Sequence, residues 1–554
     1  MGGELVHHRG LGTLRHGQEA APDADSVFRI ASMTKSFTAA TVISLRDEGR
    51  LSLDDPVARW VPELAALAPF SADSPAITIR HLLTMSAGFP TDDPWGDRQQ
   101  GLDLGAFSDL LRRGPSLVWA PGTRFEYSNL GYGILGRVIT NVTGREYRDE
   151  VTERFLRPLG MTSTTYTVDD VPRERLALGY VRRDDAWLPE PMDPYGALAA
   201  MGGVFTSVRD LARWVAGFLD AFPPRDDPEG RHPVSRASRR EMQQIHRTIT
   251  PRLKWSRADG PPVVETGGYG YGLFITDDMT IGRTVGHGGG YPGFGSHMRW
   301  HPASGIGVIA FGNGRYAPMT PHVIEALRSL VSAEAAPVRR VAAWPATLAA
   351  RDAVERLLER WDDVEAADLF AMNVDLDEPL ALRRAAIERL REAHDALRPD
   401  ETVPAVSTSA ADLIWWMTGE RGRVRLEILL SPERPPKVQA LRITSVLEPS
   451  EYLLHLATRV TRLLGESAPV LPPDITLATD AGRASIERDL RAAAARLGHV
   501  TLGRPTAGDG VMTSSWALEG EGGGAELTIR LESAGGAVAD LGLVPSPMEP
   551  PRFD

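Results

Sequence analysis

The chain has no cysteine, which excludes disulfides, thiolate metal sites and a cysteine nucleophile together. Lysine is almost as scarce: among 554 residues only Lys35, Lys254 and Lys437 occur, and nearly every other basic position is arginine. No apolar run reaches about 18 residues, so no membrane span is expected. No basic stripe marks a nucleic-acid or anionic-membrane surface, and the net charge of −12 is spread along the chain. The N-terminus lacks a charged segment leading into an apolar one, so it is not read as a signal peptide, and the expected compartment is the cytoplasm. Residues 5–17, LVHHRGLGTLRHG, read as a strand running into a turn. A chain rarely begins inside a strand, so an upstream segment is expected to be missing.

What is present is the 42% apolar, 24% charged composition of a globular protein, at a length that suggests three or four domains. The organising stretch is FRIASMTKSFTAA, residues 28–40. Met33, Phe37, Ala40 and Leu45 recur at roughly helical spacing, and Gly49 is a plausible stop. Ser32 and Lys35, three apart, then share a helix face, with the amine in hydrogen-bond reach of the hydroxyl. A serine becomes a useful nucleophile when a neighbour takes its proton, and a lysine with a lowered pKa can do so. The other reading is a capping Ser32 beside a solvated Lys35.

Further along, residues 77–90 read as a helix capped by Thr78, and residues 91–105 as a polar surface loop. Tyr127, Ser128 and Asn129 fall at a junction between a loop and a helix with a glycine-lined face. Two readings stand there. Asn129 is a helix cap beside a buried Tyr127, or the phenol relays a proton near Lys35 while the amide orients the substrate or the lysine. Ser207 and Asp210 have capping-box spacing, and residues 235–246 read as a surface helix within a polar insertion over 223–262. Antiparallel strands with glycine-rich turns follow, then an amphipathic helix over 319–333. Within the strands lies GHGGGYPGFG, residues 286–295, where glycines let the backbone approach a ligand. His287 is there either an incidental imidazole on a loose hairpin or part of a site.

In this order and spacing, S32-M-T-K35, Y127-S-N129 and H287-G-G289 resemble the three motifs of the serine β-lactamase and penicillin-binding-protein superfamily. The flanking VFRIASMTKSFTA, ITIRHLLTMSAGFP, PGTRFEYSNLGYGILG and MGGVFTSVRDLARW are similar as well, over about residues 5–335. The resemblance implies an α+β fold, an antiparallel sheet flanked by helices plus a helical subdomain, with the active site between them. It implies acyl transfer in which Ser32 attacks a carbonyl, Lys35 accepts the proton and Tyr127 passes it to the leaving group. The backbone N–H groups of Ser32 and Gly290, just after Gly289, would form the oxyanion hole, and Asn129 and His287 would face the substrate. No metal or organic cofactor is implied. The family's usual third motif is K-T-G. With His287 in place of that lysine, a fixed cation for a substrate carboxylate is missing, which favours an esterase or peptidase over a dedicated β-lactamase. The implied partner is a small ester, amide or peptide, with no nucleic acid.

The expected boundaries are a β-lactamase-like domain over 1–337, a linker over 338–351 and two small α+β domains over 352–450 and 451–554. The last two read as an internal repeat, with Ile387 and Ile486, Trp416 and Trp516, and Val438 and Val538 in register. Trp415 and Trp416 are adjacent, so on a strand only one of them faces a one-sided core. Such domains could hold a pocket, cap the cleft or carry a homo-oligomer contact. The other overall readings are a catalytically silent binding or sensing module, although such a relative would be free to lose Lys35 or Tyr127, and a D-Ala-D-Ala-type transpeptidase or carboxypeptidase on cell-wall peptides, which would need an extracytoplasmic address.

Overall fold

The computed structural model describes residues 1, 3–19, 21–230, 232–255, 262–278, 281–333, 342–407, 409–479, 482–520 and 523–546. Two compact units divide the chain, one holding Met1–Lys254 and Val263–Arg339, the other Arg340–Arg552. Among the described residues no helix is long and apolar enough to cross a membrane.

The first unit is built on a seven-stranded antiparallel sheet. Its strands are β1 (Arg247–Thr248), β2 (Arg252–Trp255), β3 (Pro262–Tyr269), β4 (Phe274–Asp278), β5 (Gly282–Tyr291), β6 (Phe294–His301) and β7 (Ile306–Gly312). They run β7-β6-β5-β4-β3-β1, with β2 also on β3. Helix α1 (Thr34–Asp47) is buried from Thr34 through Leu45, which is why its period stands out in the sequence. Helix α2 (Asn129–Thr143) is capped by Ser128 and not by Asn129: the Ser128 hydroxyl accepts from the Gly131 N–H, and the helix ends at Gly144 with φ 72°. Helices α3 (Val208–Asp220) and α4 (Met319–Ser332) complete the frame, α4 against β6 and β7. One apolar core joins α1, α2 and α3 to Ile275, Val285 and Trp300 of the sheet.

Several expectations need correction. The helix capped by Thr78 spans only Ile79–Leu83, because Met85 adopts φ 54° and turns the chain out of the helix. Ser207 caps α3, but Asp210 does not return the bond; its carboxylate accepts instead from the Ser163 N–H and the Thr164 hydroxyl. The helix at Arg236–Met242 is not a surface helix, since Arg236, Ser238, Arg239 and Met242 are buried. The insertion's residues 231 and 256–261 lie outside the described residues. Residues 5–17 form no strand; most of their side chains are exposed, so there is no buried face for a strand to supply. Residues 345–351, read as linker, open a helix with proline in its first turn, Pro345–Glu359, while 334–341 lie outside the described residues.

The second unit contains two copies of one pattern, a helix pair followed by a four-stranded antiparallel sheet. The helices are Pro345–Glu359 with Leu380–His394, and Glu451–Leu464 with Arg483–Leu497. The sheets run β8 (Arg398–Pro399), β9 (Asp412–Gly419), β10 (Gly422–Leu430), β11 (Val438–Leu447), and β12 (Val500–Ala507), β13 (Thr513–Gly520), β14 (Gly523–Leu531), β15 (Val538–Pro545). Val438 and Val538 match, each buried opposite a register shift at Leu430 and Leu531. The tryptophans do not match as expected. Trp415, not Trp416, shares the core role of Trp516, because the connection after Leu430 is one residue longer than that after Leu531. A one-residue slip reverses the face of every side chain on a strand. Trp416 lies instead under the Arg423 guanidinium at 4.5 Å, and Arg423 donates to the Pro505 carbonyl of the other copy. Ile387, 2% exposed, is likewise not matched by Ile486, which is only partly buried; the buried Leu490 holds the same place, eighth in its helix.

Candidate active site

Ser32 sits in a single 3₁₀ turn, Ala31–Met33, that feeds directly into α1. Ala31 holds φ 48°, a left-handed conformation that costs a non-glycine residue energy and is sustained by its surroundings. The turn is pinned on two sides: Ser296 of β6 donates to the Ile30 carbonyl, and the Ile30 N–H donates to Val204. One turn on, Lys35 is fully buried. Its Nζ lies 3.0 Å from Ser32 Oγ, 2.7 Å from Asn129 Oδ1 and 2.9 Å from the Met201 carbonyl. Two of these partners can only accept. An uncharged amine must therefore give its two N–H bonds to Asn129 and Met201, which turns its lone pair toward the Ser32 hydroxyl.

Close packing brings these partners in. A Cβ on Gly136 of α2 would stand 2.6 Å from the Ala200 side chain, so only glycine lets the Ala199–Gly202 turn lie against that helix. That turn presents the Met201 carbonyl, and the Thr38 hydroxyl ties it to α1 by donating to Ala200 at 2.6 Å.

The stretch 91–105 is mostly exposed, as expected, but it is not all loop. It folds into a short helix, Asp93–Gly96, and contributes three acidic side chains to the site. Asp92 accepts from the N–H groups of Asn129 and Leu130, which places the start of α2. Asp93 accepts from Asn129 Nδ2 at 2.8 Å, and this fixes the amide so that its oxygen faces Lys35. Asp97, 3% exposed, accepts from the Tyr316 hydroxyl at 2.9 Å. Burial pushes the Lys35 amine down to about 8, while Asp93, Asp97 and Asp92 pull it back up. Burial also raises Asp97 to about 6.

Tyr127 completes this wall. Its side chain is partly exposed, its ring lies 4.9 Å from Lys35 Nζ, and its hydroxyl interacts with the Ser32 side chain. Burial of the phenol, reinforced by the charge of Asp93, raises it well above its ordinary value, so it stays protonated.

The opposite wall is β5. His287 is 1% exposed, set among Tyr127, Tyr269 and Phe274 at centroid distances of 6.3, 5.9 and 5.0 Å. It is in mid-strand, not on a loose hairpin. Its Nδ1 donates to the Gly288 carbonyl at 2.6 Å, so Nε2 accepts from the Tyr269 hydroxyl at 3.1 Å. Burial, aided by Lys35 and Arg299, pushes this imidazole down to about 3, and it is neutral.

A Cβ on Gly289 would meet the Ile30 carbonyl at 2.2 Å, so the strand lies directly on the backbone that leads into Ser32. The tight Pro292-Gly293 turn makes Tyr291 and Phe294 a hydrogen-bonded pair. By alternation the N–H of Gly290 points away from β6, toward the outer edge of β5. Pairing with β4 stops at Gly286, so among the described residues no strand covers that edge at Gly290.

The seven residues singled out from the sequence thus come together from three stretches of chain. Sequence reasoning missed the Met201 carbonyl and Asp92, Asp93, Asp97 and Tyr316. Asp92 and Asp93 precede Pro94, an ordinary local signal for a helix start, but nothing local says that the helix serves Asn129. Among the described residues no group of three or more histidines and carboxylates is arranged to hold a metal ion.

A serine, a buried amine and a glycine-rich strand edge thus meet where helix α1 joins the sheet. The β-lactamase family model matches residues 1–332, and the chain belongs to that family of serine hydrolases. Protein flp of Staphylococcus aureus (strain COL) is 27% identical over 322 residues, covering 57% of this chain and 59% of that protein. The D-alanyl-D-alanine-carboxypeptidase/endopeptidase AmpH of Escherichia coli (strain K12) is 28% identical over 308 residues, 54% of this chain and 74% of that protein. This chain therefore spans less than two thirds of the length of flp. The octameric penicillin-binding protein homologue from Pyrococcus abyssi matches over 98% of this chain and 92% of its own, with a TM-score of 0.50 at 19% identity. That likeness concerns the fold, and it extends through the C-terminal sheets.

Proposed function

We propose that the protein is a serine hydrolase that works through an acyl-enzyme on Ser32 and cleaves a small ester, amide or peptide. The observation that carries this is the three-way fixation of Lys35, with Ser32 Oγ 3.0 Å away in the one direction left for its lone pair. Neutral Lys35 takes the Ser32 proton as Oγ bonds to the carbonyl carbon. The oxygen that becomes negative is held by the N–H groups of Ser32 and Gly290. Tyr127, a phenol throughout, hands a proton to the departing alkoxide or amine and is replenished from the Lys35 ammonium. Water then attacks the ester on Ser32, its proton returns through the same groups, and the free acid leaves. Asn129 aligns Lys35 and offers its amide to the substrate.

Neutral His287 supplies no cation for a substrate carboxylate, which supports an esterase or peptidase over a β-lactamase. The carboxypeptidase among the relatives keeps peptides in the substrate class. Assembly into a homo-oligomer through the C-terminal unit is part of the proposal, prompted by the octameric Pyrococcus abyssi homologue, with a substrate-bearing cytoplasmic enzyme as the expected setting. The test is intact-mass labelling with a fluorophosphonate. One adduct on the wild type and none on Ser32→Ala is expected; no adduct on folded wild-type protein leaves the silent binding module.

A further inference from the structure

Tyr316 is 46% exposed, yet it is held in a conformation that exposed residues rarely keep, with φ 48°. Two bonds sustain it: its N–H donates to the Tyr291 carbonyl at 3.2 Å and its hydroxyl to Asp97 at 2.9 Å. The ring lies against Gly290, where a Cβ would stand 2.9 Å from its Cδ1. It therefore bridges from the Gly290 end of β5 to the Asp93–Asp97 segment that holds Asn129. A second tie runs beside it, since Glu190 pairs with both Arg315 at 3.0 Å and Arg98 at 3.5 Å.

The two ends of β5 differ in chemistry. Tyr127, the donor to the leaving group, stands by His287. Tyr316 stands by Gly290, three residues or about 10 Å further along the strand. A substrate whose carbonyl oxygen sits at Gly290 points its leaving group back toward Tyr127 and its acyl group toward Tyr316. We propose that Tyr316, latched to Asp97, closes the acyl end of the cleft and restricts the enzyme to short acyl groups. The inference rests on the hydrolase reading above, and it names a specificity-determining residue outside the reacting groups.

The test compares wild type, Tyr316→Phe and Tyr316→Gly by rates of Ser32 labelling with ethyl and decyl fluorophosphonates, and by kcat/KM on p-nitrophenyl acetate and decanoate. Glycine accepts φ 48° without strain, so the ring is removed and the fold kept. The wild type is expected to favour the short probe by about tenfold or more, a pocket-size effect of ordinary magnitude. Tyr316→Gly should raise the long-to-short ratio by about tenfold, and Tyr316→Phe should fall between. A ratio unchanged in Tyr316→Gly, or a wild type that already prefers the decyl probe, overturns the inference and leaves the hydrolase standing. Absence of labelling by both probes in all three proteins overturns the hydrolase and the inference together.

Discussion

The two walls of the site each bury an ionisable nitrogen, and they do so to different ends. Lys35 and His287 are equally withdrawn from water, and burial drives both toward the neutral form. Around Lys35 stand Asp92, Asp93 and Asp97, with the neutral phenols Tyr127 and Tyr132 against it, so the amine stays near about 8 and can both take and return a proton. Around His287 stand Tyr127, Tyr269 and Phe274, and Lys35 and Arg299 add repulsion. The imidazole falls to about 3 and leaves acid–base work. Desolvation sets the direction at both places; the neighbouring carboxylates decide which group remains chargeable.

The contrast breaks most completely at Lys35. Lys35→Met keeps length and removes the base, and it should lower kcat/KM and the fluorophosphonate labelling rate by about a thousandfold, within the range for a lost general base. Equal labelling of the two proteins would mean that Ser32 is not activated by this amine.

Giving the second wall a charge should have a smaller effect with the opposite sign. His287→Lys restores a cation where the imidazole is neutral, and it should raise kcat/KM for a carboxylate-bearing cephalosporin relative to an uncharged ester by about tenfold. Relative rates that stay put would show that the carboxylate is not bound at this end of β5.

The sequence makes the first wall's short-range half legible. Ser32 and Lys35 are one helical turn apart, Ser207 caps the helix that follows it, and glycine-rich turns separate the strands of the series, although the cap of α2 is Ser128 and not Asn129. These features depend on neighbours within a few residues, and local patterns report them. The acidic segment looked like a loop because its task lies across the fold: Asp93 is bonded to Asn129, 36 positions later, and Tyr316 reaches back 219 positions to Asp97. His287 looked like an incidental imidazole because the Tyr127, Tyr269 and Phe274 rings that enclose it come from two other stretches of chain. In the C-terminal copies, a near-constant offset in the sequence pairs Trp416 with Trp516. Only the register shows that one extra residue between β10 and β11 assigns the core position to Trp415.

The finest test concerns the tuning of the first wall. A base must be neutral to act, so kcat/KM should rise as pH passes through about 8, where Lys35 loses its proton. His287 at about 3 contributes no inflection between pH 5 and 7, and one in that window would belong to Asp97, raised to about 6. Among the carboxylates, Asp93 is the strongest influence holding the ammonium in place. Asp93→Asn removes that charge but keeps an oxygen that can accept from Asn129 Nδ2, so the amide still faces Lys35. With less to stabilise the ammonium, the proton leaves more easily, and the limb should move to lower pH by about one unit or less. At pH 7 this variant should gain rate by a few fold, while its plateau at high pH should match the wild type. A limb that moves to higher pH, or a plateau that collapses with no shift, would assign Asp93 to holding Asn129 alone.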